Sequence, residues 1–294
     1  MNEELVASVK AIVADPAKGP ALHDLLHAEA NRVIEAMRDE QFAAGTAYSK
    51  DELARRVAAY EALTEDLSRA AAMVAYWSKA TDDRLVAGLV ARLANAMERD
   101  NGVVPWLEMF LYPALLVMYA GGLGSVIGGR DGLLAALLAS PLIHEREEWK
   151  PIVLVLHSHN VIDHSIAKEL PGLQRRHTPM SDHLAEVLQP WLAPLEPDQP
   201  AFEHAFDRFE YLLGLVMFDL RRAAHGSGWA PVGRLSWRGE RRRGVDAEIA
   251  EEISAAGSAW PLLSAGLFGG ERDRLTESAA GWISLVREVR GHQF

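Results

Sequence analysis

The segment LVLHSHNVIDHSIA contains the residues of this chain that are best suited to metal chemistry. His157 and His159 are separated by one residue, and Asp163 and His164 follow after three intervening residues. Imidazole nitrogens and carboxylate oxygens are the ligands with which proteins hold catalytic zinc, and a zinc-bound water is a nucleophile for hydrolysis. These four residues therefore define one alternative function, a metal-dependent hydrolase.

This segment is similar to the metal motif of metallo-β-lactamase-like hydrolases, in which a strand end presents clustered histidines and an aspartate. That motif has one residue between the two pairs, whereas three residues lie between them here. The two extra residues rotate the second pair off the expected face, and the flanking sequence is helical where that fold has strands. We therefore interpret the four residues as loop residues beside a buried apolar segment, and we expect no metal site.

A second candidate site is the basic loop that follows the most regular amphipathic helix, predicted from about Gln199 to Arg222. Arginine and tryptophan bind phosphates, nucleotides and RNA through charge and stacking, and they are frequent energetic centres of protein interfaces. The same arginines could instead pair with acidic helix faces. We expect this loop to bind a protein partner, and we expect any nucleic-acid contact to be confined to it. The predicted binding residues are Trp229, Arg234, Trp237, Arg238, Arg241, Arg242 and Arg243.

Several other chemistries have no support in the sequence. The absence of cysteine excludes disulfides, thiolate metal sites and a cysteine nucleophile, and no G-x-S-x-G serine motif occurs. Gly122, Gly124 and Gly128 depart from a dinucleotide-binding loop because Ile127 occupies the third glycine position, so we assign these glycines to close helix packing. We nominate no catalytic residue and no cofactor. The carboxylates that we expect to be solvated or surface-paired on amphipathic helices are Glu61, Glu65, Asp66, Glu210 and Asp219.

Composition and charge restrict the function further. The 294 residues are 49% hydrophobic and 24% charged, which is typical of a globular protein. A net charge of −11 opposes nonspecific binding to nucleic acid and to anionic lipid. The N-terminal sequence MNEELVASVK is acidic and lacks a basic region followed by an apolar run, so we expect no signal peptide and a cytoplasmic location.

The stretch Met109–Gly129 is uncharged and allows two structures. Its length suits a membrane span, which gives a third function, a membrane-acting cell-death effector. However, Pro113 and five glycines weaken insertion, and the flanks carry no basic cluster. We therefore predict a buried hairpin within 104–140, in which a helix to about Ala120 is followed by a glycine-rich bend and a short partner helix. Ala120, Gly124 and Gly128 are spaced so that another helix backbone can approach closely.

Helical periodicity dominates the rest of the chain. We predict an all-α fold, a multi-helix bundle or a short α-solenoid-like array with a Pro/Gly-rich central connection. The predicted domains are a helical domain over 1–190, built around the hairpin, and a C-terminal helical subdomain over 198–294 packed on it.

Ser49 with Glu52 predicts a capping box, and Thr178 predicts a helix cap. Residues 152–156 suit a short strand or the first turns of a helix. Two long helices have regular apolar seams: Leu53, Val57, Tyr60, Thr64, Leu67, Ala71 and Val74 in the first, and Phe202, Phe206, Phe209, Leu213, Val216 and Leu220 in the second.

Four stretches together resemble the helical C-terminal region of large bacterial anti-phage or conflict proteins, whose N-terminal effector domains are sirtuin-like, Toll/interleukin-receptor-like or nuclease domains. They are RRVAAYEALTEDLSRAAAMVAYW, LYPALLVMYAGGLGSVIGGRDGLLAALL, LPGLQRRHTPMSDHL, and FDRFEYLLGLVMFDLR with GWAPVGRLSWR after it. The resemblance covers nearly the whole chain through packing and turn motifs, and it transfers no catalytic residue. It implies a sensing, scaffolding or autoinhibitory module. Because the chain has no room for an effector domain, it implies a free-standing version, a fragment, or one subunit of a split system.

From these observations we expect a non-enzymatic helical interaction and regulatory module of a bacterial defence system. Its partners would be an effector protein or subunit, with homo-oligomerisation possible, and no membrane in the resting state.

Overall fold

The computed structural model describes residues 3–13, 15–77, 83–98, 100–139, 142–145, 148–238 and 244–291. Helices dominate these ranges, and a single two-stranded hairpin is the only sheet within them. This confirms the all-α, multi-helix prediction. In chain order the elements are α1 (Glu3–Val13), α2 (Gly19–Ala36), α3 (Lys50–Trp77), α4 (Leu85–Ala94), α5 (Val104–Met109), α6 (Tyr112–Ile127), α7 (Asp131–Ala139), β1 (Leu142–Glu145), β2 (Glu148–Pro151), α8 (His164–Ala167), α9 (Pro179–Leu192), α10 (Gln199–His225), α11 (Leu235–Arg238), α12 (Val245–Ala256), α13 (Pro261–Ser264) and α14 (Arg272–Gly291).

Helix α6 lies at the centre of the fold. Every residue from Tyr112 to Ser125 is buried. Helix α3 packs along α6 more extensively than any other element does, and α4, α7, α9 and α10 also contact it. Because helices surround α6, it has no polar face, and this explains the run of apolar residues in its sequence.

The glycines of α6 allow helix α3 to approach closely. A Cβ atom added at Gly124 would lie 2.3 Å from the carbonyl oxygen of Ala72, and one added at Gly128 would lie 2.9 Å from the Cα atom of Tyr76. Both contacts involve the α3 backbone, which cannot move aside as a flexible side chain can. The predicted use of these glycines for close helix packing is therefore confirmed.

The predicted bend after Ala120 is wrong. Helix α6 continues through the glycines at 121, 122 and 124 to Ile127, and the chain turns at Gly129, whose φ is +62°. The break in the apolar stretch lies earlier, between α5 and α6, where Pro113 occupies the first turn of α6. Intrinsic propensity disfavours glycine inside a helix, but close packing outweighs that cost. Gly121 lies against Val86 of α4, Gly122 against Phe209 of α10 and Gly124 against Ala72 of α3.

One segment within the described residues, Val104–Ile127, is long and apolar enough to cross a membrane, and 89% of its most apolar window is buried inside the fold. A single helix of this kind is weak evidence for a membrane protein, because the core helix of a globular protein has the same length and composition. In this structure the segment is surrounded by other helices of the chain, whereas a transmembrane helix would expose its side chains to lipid.

The apolar seams predicted for α3 and α10 are buried, and both helices pack on α6. All seven seam residues of α3 are buried, and in α10 only Leu220, the last of its six, is partly exposed. On the α6 side, a Cβ atom at Gly122 would lie 2.0 Å from the Phe209 ring, which also contacts Tyr119 edge-on at 5.0 Å between centroids. Helices α12 and α14 pack on α10. Buried residues on both sides of the predicted domain boundary contribute to one hydrophobic core. The division at 190–198 stays a prediction.

Three local predictions have mixed outcomes. Residues 152–154 form a 3₁₀ turn directly after β2, so the segment from 152 to 156 is neither a strand nor the start of an α-helix. Ser49 does accept the Glu52 amide, at 3.1 Å, but the Glu52 carboxylate bonds Arg55 and Arg56 and leaves the capping box half formed. Thr178 precedes α9 as predicted, although its hydroxyl donates to Asp182 at 3.2 Å and does not cap the helix.

Candidate functional site

Trp229 lies in the loop that follows α10 and is held at the surface by Arg221. The Arg221 guanidinium lies 4.8 Å from the indole centroid, and its Nη1 donates to the Trp229 carbonyl at 3.2 Å. The loop forms here because Gly226 ends α10 in the left-handed conformation, with φ +75°. The Trp229 side chain is 46% exposed. Trp229, one of the predicted binding residues, is therefore partly exposed in this loop, and its role in binding stays a prediction.

Trp237 lies in the short helix α11 and is anchored at one edge. Its Nε1 donates to the Thr178 hydroxyl oxygen at 3.0 Å, while 38% of the residue remains exposed. Between the two tryptophans, Ala230, Val232 and Leu235 are buried. These apolar side chains fix the segment to the core, so both indole rings are presented in defined positions.

Arg234 differs from the prediction because it is buried. Its guanidinium lies 3.8 Å from Asp182 and 3.8 Å from Glu203, and it stacks over the Phe206 ring at 5.3 Å. Its Nε has no hydrogen-bond partner among the described residues. Arg234 therefore compensates acidic side chains inside the fold and is not presented to a ligand at the surface.

Arg238 is also engaged within the chain. Its Nη2 bonds Glu203, and its Nε donates to the Asp207 carboxylate at 3.1 Å. The predicted residues Arg241, Arg242 and Arg243 lie outside the described residues. Of the predicted binding residues that the structure describes, the two tryptophans remain for a partner, and the arginines pair with an acidic helix face.

That acidic face belongs to α10 and consists of Glu203, Asp207 and Glu210. Burial raises the pKa of Asp207, against the opposing effect of Arg238. Burial also raises the pKa of Glu210, to about 7. The spacing of four and three residues places the three carboxyl groups on one side of the helix. The spacing of these three carboxylates is visible in the sequence. Their burial is not, because it depends on α9 and α11, which pack on α10 only in the folded chain.

Glu210 is at the centre of a buried polar cluster. The Tyr119 hydroxyl donates to its Oε1 at 3.1 Å, and the Ser181 hydroxyl donates to its Oε2 at 2.6 Å. His157 and Ser158 line a small cavity beside it, of about 10 Å³. Such a cavity holds about one water molecule. A carboxyl group with this pKa could exchange a proton with that water, but the cavity has no room for a substrate.

The expectation of a solvated or surface-paired carboxylate is wrong for Glu210 and for Asp219. Asp219 is buried and accepts two hydrogen bonds from Arg274, at 2.9 and 2.6 Å, and one from Ser278 at 2.7 Å. Glu61 accepts from Tyr112 at 2.8 Å and pairs with a histidine of α9. Amphipathic periodicity identified the helices, but it could not show which polar positions face a second helix.

The four residues of the histidine segment are only partly brought together. The rings of His159 and His164 approach to 5.7 Å between centroids. His157 points toward the Glu210 cavity, and its Nδ1 accepts the His159 amide at 3.3 Å. Burial lowers the pKa of His157 to about 3. Asp163 caps α8 by accepting the Ser165 amide at 2.8 Å. Over the described part of the chain, no three His, Asp or Glu side chains are placed to share a metal ion.

A larger cleft lies elsewhere, where the segments that follow α2 and α4 meet the C-terminal end of α5. Its volume is about 450 Å³, with an apolar floor and a charged rim. The sequence alone does not indicate this cleft, because its lining residues come from separate segments that meet only in the folded chain. The lining residues are Met37, Arg38, Asp39, Phe42, Ala43, Ala44, Ala96, Met97, Glu98 and Phe110.

Compared with models of protein families, with curated proteins and with solved structures, the chain matches none of them.

Proposed function

We propose that this chain is a non-enzymatic helical interaction module, a sensor or scaffold that regulates an effector protein of a bacterial anti-phage defence system in the cytoplasm. The observation that carries this proposal is the pair of exposed, anchored indole rings of Trp229 and Trp237. Interface energy concentrates in a few aromatic and arginine residues, and tryptophan is among the most frequent of them.

The anchoring of the two rings favours binding. Arg221 stacks on one indole, and the Thr178 hydroxyl accepts a hydrogen bond from the other. Ordering a flexible side chain at an interface costs about 0.5–1.5 kcal/mol. Because Trp229 and Trp237 are already held before a partner arrives, much of that cost is absent from the binding step.

The arrangement around Glu210 supports a binding role over catalysis. An active site usually combines residues of perturbed pKa with a cleft that admits a substrate. Here the raised pKa of Glu210 occurs beside a cavity of about 10 Å³, and the histidine segment offers no set of three metal ligands within the described ranges. The buried carboxyl groups and arginines fit a role in fixing α9, α10 and α11 to one another.

The test is co-expression of the tagged chain with the product of each neighbouring gene. We expect one product to copurify with the wild-type chain, and we expect Trp229→Ala with Trp237→Phe to weaken that complex at least tenfold, which corresponds to about 1.4 kcal/mol. The matched control is Trp77→Ala, because Trp77 is also a partly exposed tryptophan but lies at the end of α3. It should leave the affinity unchanged.

The regulatory part has its own measurement. The nuclease or NAD-consuming activity of the captured effector should differ between samples with and without the chain, and the tryptophan variant should abolish the difference. Unchanged binding in the tryptophan variant, or equal loss in the Trp77 control, would contradict the assignment of this surface. A wild-type chain that captures no neighbouring gene product would contradict the proposed function as a whole.

A further inference from the structure

The β-hairpin has one satisfied edge and one open edge. Strands β1 and β2 pair antiparallel, with Ile143 opposite Lys150 and His144 opposite Trp149. On the outer edge of β1, the Asn95 side chain accepts the His144 amide at 2.9 Å and donates to the Leu142 carbonyl at 3.0 Å. This amide group thus closes the β1 edge as a neighbouring strand would. Among the described residues, no strand pairs with the outer edge of β2.

The register shows which groups the open edge presents. His144 and Leu142 direct their backbone groups away from β2, so Ile143 and Lys150 form a hydrogen-bonded pair across the hairpin. Backbone groups alternate along a strand. Therefore the N–H and C=O of Trp149 point outward from β2, in position to bond another strand. An open edge of this kind is a ready site for strand addition.

The open edge also carries the most exposed tryptophan described in this structure. Trp149 is 64% exposed, and Leu142 on the same face is also exposed. The His144 ring lies 5.4 Å from the Trp149 ring. An apolar, aromatic face on a two-stranded hairpin gains from adding further strands, because an isolated hairpin is marginally stable.

The sequence of β2 is complementary to itself in the antiparallel direction. If two β2 strands pair about Trp149, the rule of antiparallel pairing places Glu148 of each copy opposite Lys150 of the other. Opposite charges in such cross-strand positions stabilise the pairing. We infer that two copies of this chain associate through the outer edges of β2 and form a four-stranded antiparallel sheet around a two-fold axis at Trp149.

The aromatic residues fit the same arrangement. The two Trp149 residues would exchange both backbone hydrogen bonds, and their rings would lie side by side on one face. Each ring is flanked by His144 of its own chain, so four aromatic rings form a continuous row across the sheet. Because the paired strands are short, the interface is small, and the dimer dissociates with a constant on the order of micromolar or weaker. This inference does not depend on the proposed function.

Charge exchange tests the register directly. Sedimentation over a concentration series should show the wild-type monomer–dimer equilibrium, and Glu148→Lys or Lys150→Glu alone should weaken the dimer about tenfold, because each change creates two like-charge pairs. The double variant carrying both changes should restore wild-type association. An equimolar mixture of the two single variants should form mixed dimers, since each Lys then faces a Glu.

Cross-linking provides a second measurement, because a disulfide traps the dimer even when its affinity is low. The chain has no cysteine, so Trp149→Cys introduces a single thiol. The Cα atoms of a hydrogen-bonded antiparallel pair are about 5.5 Å apart, which suits a disulfide. We expect oxidation to give a covalent dimer of Trp149→Cys and not of the exposed control Val104→Cys.

Three results would overturn the inference. They are a wild-type protein that remains monomeric at several hundred micromolar, a double charge variant that associates no better than the single variants, and equal cross-linking of the two cysteine variants. If the open edge of β2 instead accepts a strand of another protein, the wild-type chain on its own would remain monomeric, which is the first of these results. Circular dichroism of each variant establishes that the fold is retained.

Discussion

Gly124 of α6 lies against the backbone of Ala72 in α3, so close that a Cβ atom at position 124 would stand 2.3 Å from the Ala72 carbonyl oxygen. This contact is possible only for glycine at that position. It fixes the separation of the two helices that pack together most extensively in the described structure. The spacing of the core thus depends on the absence of one methyl group.

Gly124→Ala is therefore expected to lower the free energy of unfolding by about 2 kcal/mol, because relief of the clash requires the two helix backbones to move apart. Alanine is intrinsically better than glycine inside a helix by about 1 kcal/mol, so the packing energy lost exceeds the net loss by about that amount. The control is Gly88→Ala in α4, where nothing lies within 4 Å of the added atom. That variant should gain about 0.5–1 kcal/mol. Urea denaturation of both variants tests the expectation, and a loss in the control as large as in Gly124→Ala would contradict it.

Much of the helical architecture was predictable because each helix is amphipathic on its own. The seams of α3 and α10 follow helical spacing, and the structure buries nearly all of their residues. The spacing of Gly124 and Gly128 also predicted a close helix neighbour. It could not identify Ala72 and Tyr76 as the contacts, because small residues on α3 give no comparable signal. Helix α6 continues past its glycines because tertiary packing outweighs their low helix propensity.

The candidate site was predictable in residue type but not in exposure. Trp229 and Trp237 are exposed aromatic residues, as expected for a binding loop. Arg234 and Arg238 have the same local sequence signal, yet Glu203 and Asp207 of α10 pair with them. Pairing between segments distant in the chain is set by the fold, so periodicity and composition alone could not separate the free residues from the engaged ones.

Glu210 makes the stability of the protein depend on pH. Burial raises its pKa from an ordinary value of 4.5 to about 7. Between these two values the folded state binds the proton and the unfolded state has lost it, so stability falls as pH rises through this range. The loss attributable to Glu210 is on the order of 3 kcal/mol between pH 5 and pH 8.

Glu210→Gln should remove that dependence. Glutamine keeps the shape of the protonated carboxyl group and cannot ionise, so the variant should gain stability relative to the wild type as pH rises from 5 to 8. Urea denaturation at several pH values measures the difference. Burial also raises the pKa values of Asp207 and Asp182. The stability of the Glu210→Gln variant should therefore still fall somewhat as pH rises, but less than that of the wild type. If the free energies of unfolding of Glu210→Gln and of the wild type differ by the same amount at every pH from 5 to 8, the pKa of Glu210 is not raised in the folded state.

The histidine segment should not hold a metal ion. The Nδ1 of His157 accepts the His159 amide, and Asp163 accepts the Ser165 amide, so two of the four potential ligands are engaged in local structure. Protein purified without chelator is expected to contain less than about a tenth of a zinc equivalent per chain by elemental analysis. The variant with His159→Ala and His164→Ala should contain the same amount. Close to one equivalent in the wild type, lost in that variant, would restore the hydrolase alternative.

The ion pair between Arg274 and Asp219 joins α14 to α10 inside the fold. Two hydrogen bonds connect the guanidinium and the carboxylate, and Asp219 is buried. Removal of one partner of such a pair leaves an uncompensated buried charge. Arg274→Ala is therefore expected to lower the free energy of unfolding by about 3 kcal/mol in denaturant titrations.

In the double variant that adds Asp219→Asn, the loss of stability should be clearly smaller than the sum of the two single losses, because no unpaired buried carboxylate remains. The control is Arg38→Ala, whose partner Glu35 is exposed and lies three residues earlier on the chain; it should change stability by less than about 0.5 kcal/mol. Additive effects of the two changes at 219 and 274 would show that the carboxylate does not depend on Arg274.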